Sequence, residues 1–128
     1  MSETAYEGRL APISYTLPSG RHVALRLPTM GDREMLLRRF IEEYKGDGEA
    51  GLRRAREEAD TLLPRQCLTS DNGAALDPDP RFRCREWDLA EMTAYLVFFA
   101  ELTNLTTEEA EGARAAAKSV RAGLRGGV

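Results

Sequence analysis

Apolar and polar residues alternate twice near the start of the chain, in "SYTLPSGRHVALRL". Tyr15 and Leu17 share one face of a first strand, and Val23, Leu25 and Leu27 share one face of a second. Period-two alternation marks a half-buried ribbon. Pro18 and Gly20 suit a tight connection, one by presetting its backbone angle and the other by tolerating positive φ. The spacing predicts a β-hairpin over residues 14–27, closed by Pro28. Such a hairpin is marginal alone in water, so its apolar face needs helices beneath it or its edges need a partner.

After Pro28 the period changes. Met30, Leu36, Leu37, Phe40, Ile41 and Tyr44 draw one helical stripe, behind Thr29 as N-cap and Asp32 in the first turn. Gly46 and Gly48 interrupt it. A second helix is predicted from about Glu49, with Leu52, Ala55, Ala59, Leu62 and Leu63 on one side and the charges of "RRAREE" on the other. Pro64 is expected to end or kink that helix. Residues 65–86 show no period and carry Asn72-Gly73, Asp77-Pro78 and Asp79-Pro80, all turn formers. They read as a long irregular insert, with Cys67, Leu68 and Phe82 pinning its ends to the core.

Two capping boxes follow. In "WDLAEM", Asp88 is the N-cap, Glu91 completes the box and Trp87 is placed to staple against Met92. The helix that follows reaches Asn104. It carries Leu89, Met92, Tyr95, Leu96, Val97, Phe98, Phe99 and Leu102 over more than one face, which predicts contacts on several sides. In "LTTEEA", Thr106 and Glu109 open a final helix whose apolar side is small: Ala110, Ala113, Ala117 and Val120. Gly112 weakens it by about 1 kcal/mol relative to Ala. The tail "GLRGGV" reads as frayed.

These elements predict an α+β fold, mainly α, with an N-terminal β-hairpin packed on a small bundle of about four helices. One domain spans 1–128: a flexible N-terminal arm at 1–12, the hairpin at 14–27, a helical body at 30–122 with the turn-rich insert 65–86, and a tail at 123–128. A chain of 128 residues has room for one modest core. The apolar fraction of 42% and charged fraction of 30% are those of a folded globular domain rather than a disordered one.

Charge removes some partners from consideration. The net charge of -3 gives no global field to gather nucleic acid or anionic lipid. All but two of the 18 basic residues are Arg, which reads as the codon bias of a GC-rich genome before it reads as recognition chemistry. The first eight residues carry acids and no apolar segment, and no run approaches the roughly 18–20 apolar residues of a membrane span. A cytoplasmic protein with no membrane partner is expected. Cys67 and Cys84 then read as free buried thiols.

No catalytic machinery is visible. His22 falls on the polar face of the hairpin, beside Ser19 as a turn neighbour and away from any second imidazole. Cys67 and Cys84 lie near Asp71, Asp77 and Asp79, but as isolated singles they lack the close pairs of a zinc site. "GDGEAG" has no preceding strand and no Lys-Ser/Thr after it, so it is a helix connection rather than a phosphate loop. Neither metal nor cofactor is expected. In "RFRCRE", an extended strand would aim Arg81, Arg83 and Arg85 to one side as a phosphate-binding patch, against which Glu86 and Asp88 read as neutralising charges.

The order "TLPSGRHVALRLPTMGDREML", an amphipathic helix pair, "CLTS", a turn-rich insert and "WDLAEMTAYLVFFAELTNLTTEE" resembles the small tail assembly proteins and chaperones of tailed bacteriophages and related contractile injection systems. In that group an "LPSG" hairpin precedes an "R-x-P/L-T-x-x-D" segment and a small helical body. The resemblance covers Thr16 to Leu37 well and the rest in outline; the insert with its two cysteines departs from the simplest members. It implies a non-enzymatic protein of the host cytoplasm or the particle that binds a structural, baseplate or tape-measure-like component during assembly. The expected partner surface is the hairpin edge and the first helix, with Leu25, Leu27, Met35 and Phe40 as anchors, unless these are ordinary core. Two other classes compete with it: a small regulatory or nucleic-acid-binding adaptor using Arg81, Arg83 and Arg85, and an enzyme with a metal site at Cys67 and Cys84.

Overall fold

The computed structural model describes residues 11–126. The arm expected at 1–12 lies outside them except for Ala11 and Pro12, as does the very end of the expected tail. Strands β1 (Ile13–Thr16) and β2 (His22–Leu25) pair antiparallel, with Ile13 opposite Leu25 and Tyr15 opposite Val23. The connection forms as its residues require: the Gly20 N–H bonds the Leu17 carbonyl at 2.8 Å, and Gly20 takes a φ of 93°.

A third strand, β3 (Leu68–Asp71), pairs antiparallel with the other side of β2, giving the order β1-β2-β3. This corrects both the two-stranded hairpin and the wholly irregular insert. "LTSD" is too short to show a period, and its partner strand is remote in sequence. As a result β2 is the central strand, and the free edges belong to β1 and β3.

Helix α1 (Met30–Glu43) starts at Thr29, whose hydroxyl accepts from the Asp32 N–H while the Asp32 carboxylate accepts from the Thr29 N–H. Arg26 forks onto the same carboxylate at 2.6 and 2.8 Å, tying the exit of β2 to the helix start. A 3-10 turn (Lys45–Asp47) leads into α2 (Gly48–Gln66). Pro64 neither ends nor precedes the end of α2 by more than a turn; the helix runs on to Gln66. The missing N–H costs one bond, to the carbonyl of exposed Asp60. Helices α3 (Leu89–Thr103) and α4 (Thr107–Gly126) complete the chain, and α4 continues where a frayed tail was expected.

Two apolar clusters hold these elements together. Leu17, Val23, Leu25, Cys67, Leu68, Trp87, Tyr95 and Phe99 fill the space between the sheet and α3. Leu36, Phe40, Ala55, Ala59 and Leu62 join α1 to α2. Leu63 packs against both clusters, so α2 couples the helix pair to the sheet. The body therefore contains three helices, not four. Every described side chain of α4 is exposed except Ala110, because the helix does not fold back over α3. For the same reason α3 is not surrounded: it buries Glu91, Tyr95 and Phe99 and leaves Leu89, Leu96 and Val97 in solvent.

The α1–α2 corner depends on one glycine. Gly51 is buried, and a Cβ there would overlap the Tyr44 carbonyl oxygen, which is itself fixed by the Asp47 N–H at 3.0 Å. Gly51→Ala is expected to destabilise the fold by about 1–3 kcal/mol, the range for overpacking a tight contact. Gly112→Ala, with nothing near the added methyl, should show no such loss. Urea unfolding of the two variants checks the contrast.

Candidate functional site

The densest polar constellation sits where the hairpin turn, β3 and the start of α3 meet. Glu91, the third residue of α3, accepts from the Asp88 N–H at 3.0 Å, closing the capping box. The same carboxylate accepts from Ser19 Oγ at 2.9 Å and Arg21 Nε at 2.6 Å. Arg21 reaches on to Asp71 Oδ1 at 2.9 Å, and Asp71 Oδ2 accepts from the Trp87 indole N–H at 2.8 Å. The Arg21 guanidinium also lies 5.4 Å from the Trp87 ring centre.

This cluster clasps the hairpin turn and β3 to the start of α3. Arg21, the Asp88 N–H and Ser19 together hold the Glu91 carboxyl at about 2, far below its ordinary range. A carboxylate stabilised so strongly is a poor proton acceptor at neutral pH. Ser19 spends its hydroxyl proton on that carboxylate and has no base to activate it. His22 is on the exposed face, with Nδ1 2.9 Å from Thr16 Oγ1, as its strand position predicts.

The four expected partner anchors separate. Leu25 and Phe40 are 0% exposed and belong to the two core clusters, so they cannot anchor a partner in the folded protein. Leu27 is half-buried, and Met35 is exposed on α1. The hairpin edge, too, is narrower than expected, since β3 covers one side of β2.

The three arginines are dispersed as well, because Pro80–Phe82 is a 3-10 turn capped by Asp79 and not an extended strand. Arg81 pairs with Glu43 at 2.6 Å and lies over the Phe40 ring. Arg83 turns inward and donates to the carbonyls of Asp77 and Arg65 at 2.7 and 2.9 Å. Arg85 alone is exposed, stacked on Phe82. No common phosphate face results.

Cys67 and Cys84 are free. Burial pushes both thiols up to about 11, which leaves little thiolate for a nucleophilic step at neutral pH. Among the described residues, no three His, Cys, Asp or Glu side chains come together as a possible metal site.

What the fold leaves uncovered is apolar. Along α3, Leu89, Thr93, Leu96, Ala100 and Thr103 recur at spacings of four and three, with Val97 beside them. Leu89 is 87% exposed and Val97 59%. Leu105 in the connection is exposed too. Along α4, Ala110, Ala113, Ala117, Val120 and Leu124 repeat the same spacing, and Leu124 is 72% exposed. Two consecutive helices thus present unpartnered stripes at the period of helix-on-helix packing. Arg114, Lys118, Arg121 and Arg125 run along one flank of the α4 stripe.

No protein-family model, characterised protein or solved structure matches the chain. The α4 stripe was visible in the sequence as a small apolar side; its lack of cover was not, and neither was the exposure of α3. Among the described residues no helix is long and apolar enough to cross a membrane, so the stripes are not parts of a span.

Proposed function

We propose that the protein is a non-enzymatic assembly protein or chaperone, acting in the host cytoplasm, that binds a structural or tape-measure-like component of a tailed or contractile phage-like particle. The observation that carries the reading is the uncovered apolar face of α3 and α4. Side chains such as Leu89, Leu96, Val97 and Leu124 stay in water only at a cost, and exposed apolar stripes of this kind mark docking surfaces. Helical stripes at this spacing suit a partner that contributes an amphipathic helix. The resemblance of the hairpin segment to tail assembly proteins supplies the class of partner.

The face differs from the one expected from the sequence. Met35 and Leu27 remain accessible, but the larger uncovered area lies on α3 and α4. The nucleic-acid adaptor reading is disfavoured, since two of its three arginines are committed to Glu43 and to backbone carbonyls.

Co-expression with tape-measure, tube and baseplate proteins of a tailed particle, followed by affinity capture, tests the proposal. One of them should be retained. Leu96→Glu should weaken its binding at least about tenfold, equivalent to 1.4 kcal/mol, by placing a charge in an apolar contact. Because Leu96 is already exposed, the melting temperature should stay close to wild type. Capture that is indifferent to Leu96→Glu and to Val120→Glu would overturn the assignment of this face.

A further inference from the structure

A second surface is chemically unlike the docking face. Between α2 and residues 80–85 lies a cavity of about 570 Å³, within the range of small-molecule sites. Four guanidinium groups and two carboxylates line it, and half of these six are already paired. Arg81 is held by Glu43, and Arg54 lies 3.6 Å from Glu58 while covering the Tyr44 ring. Among the described residues Arg65 and Arg85 have no carboxylate partner, and Glu57 has no cation.

Arg65 is the unusual member. Its Nε is buried and makes no hydrogen bond, and the Nε of Arg81 is in the same condition. A buried N–H without an acceptor carries an uncompensated desolvation cost, larger on a charged group. Both residues line the cavity, although these two Nε atoms have almost no accessible surface themselves. The cavity also holds Phe82, 47% exposed, with Arg85 stacked 4.7 Å from its ring centre. An aromatic surface beside guanidinium groups favours a ligand with a flat or apolar body and an anionic head.

We propose that this cavity binds an oxyanion, a phosphate or a carboxylate, carried on a small aromatic body. Arg65 and Arg85 receive the anion, and Phe82 packs against the body. Glu57, at the same cavity, opposes the anion and limits its affinity. The site shares no residue with the α3–α4 face and does not depend on the assembly role.

Titration of the full-length protein by ¹⁵N–¹H NMR, with phenyl phosphate, benzoate and inorganic phosphate as separate probes, tests it. Phenyl phosphate or benzoate should give saturable shifts at Thr61, Arg65 and Phe82, and whichever binds more tightly names the head group. Inorganic phosphate should bind about tenfold more weakly than phenyl phosphate, having no body to pack on Phe82. Arg85→Gln, at an exposed position, and Arg65→Gln should each weaken the tighter probe about tenfold. Glu57→Gln should tighten it about threefold, an effect that a purely structural role would not produce. Absence of saturable shifts with both aromatic probes, or shifts unchanged in Arg65→Gln and Arg85→Gln, would overturn the proposal.

Discussion

Tyr95→Ala is expected to remove about 3–5 kcal/mol of stability, the range for emptying a buried aromatic site. That is a large share of the roughly 5–15 kcal/mol that separates a domain of this kind from its unfolded chain. Tyr95 is 0% exposed, packs edge-on against Trp87 at 5.5 Å and lies 6.3 Å from Phe99. Its hydroxyl donates to the Pro64 carbonyl at 2.6 Å, so the side chain ties α3 to the end of α2 as well as filling the sheet cluster. Tyr95→Phe separates the two roles. It keeps the ring and strands the carbonyl, and should cost about 1–3 kcal/mol. Denaturant unfolding of both variants measures the difference, and a Tyr95→Phe variant as stable as wild type would show that the hydrogen bond contributes nothing.

Acid should weaken the fold between about pH 4.5 and pH 2. Glu91 is held at about 2 by Arg21, the Asp88 N–H and Ser19, against an ordinary 4.5. Asp79 is held at about 2 by Arg39, against an ordinary 3.8. For both groups the folded value lies below the unfolded one. The unfolded chain therefore binds the proton first, and the stability that is fully present above the ordinary value is lost as pH falls toward the folded one. Each group contributes up to about one proton to the slope. In Glu91→Gln the acid slope should shrink by the Glu91 share, and in the double variant with Asp79→Asn it should shrink by both. Melting temperatures recorded from pH 7 to pH 2 test this; an unchanged slope in the double variant would refute it.

The helix starts were legible because a capping box is local. Asp88 with Glu91 and Thr106 with Glu109 form as their spacing predicts, and Thr29 caps its helix as expected, with Asp32 closing a third box where the sequence suggested only a first-turn charge. The strand alternation of Tyr15, Leu17, Val23 and Leu25 was legible for the same reason. The clasp was not. Glu91 could be read as a cap, but its bonds to Ser19 and Arg21 join residues about seventy positions apart, and no local period encodes them.

Strand β3 was hidden by its length of four residues and by a partner on the far side of the first two helices. The alternating arginines misled because alternation implies a common face only in an extended chain. Asp79 and Pro80 instead start a 3-10 turn, and each guanidinium then takes a separate partner. The uncovered stripes were half legible. Spacing revealed that α3 and α4 have apolar sides, while whether a neighbour covers them is a tertiary fact.

Since α4 is screened from water only in part, and only at Ala110, its helical state draws almost no support from the body beneath it. A partner that engages α4 as a helix must hold that shape itself, and its apparent grip falls with the fraction of time the segment spends wound. Gly112 lowers that fraction further, so anything that grips α4 as a helix is biased toward letting go.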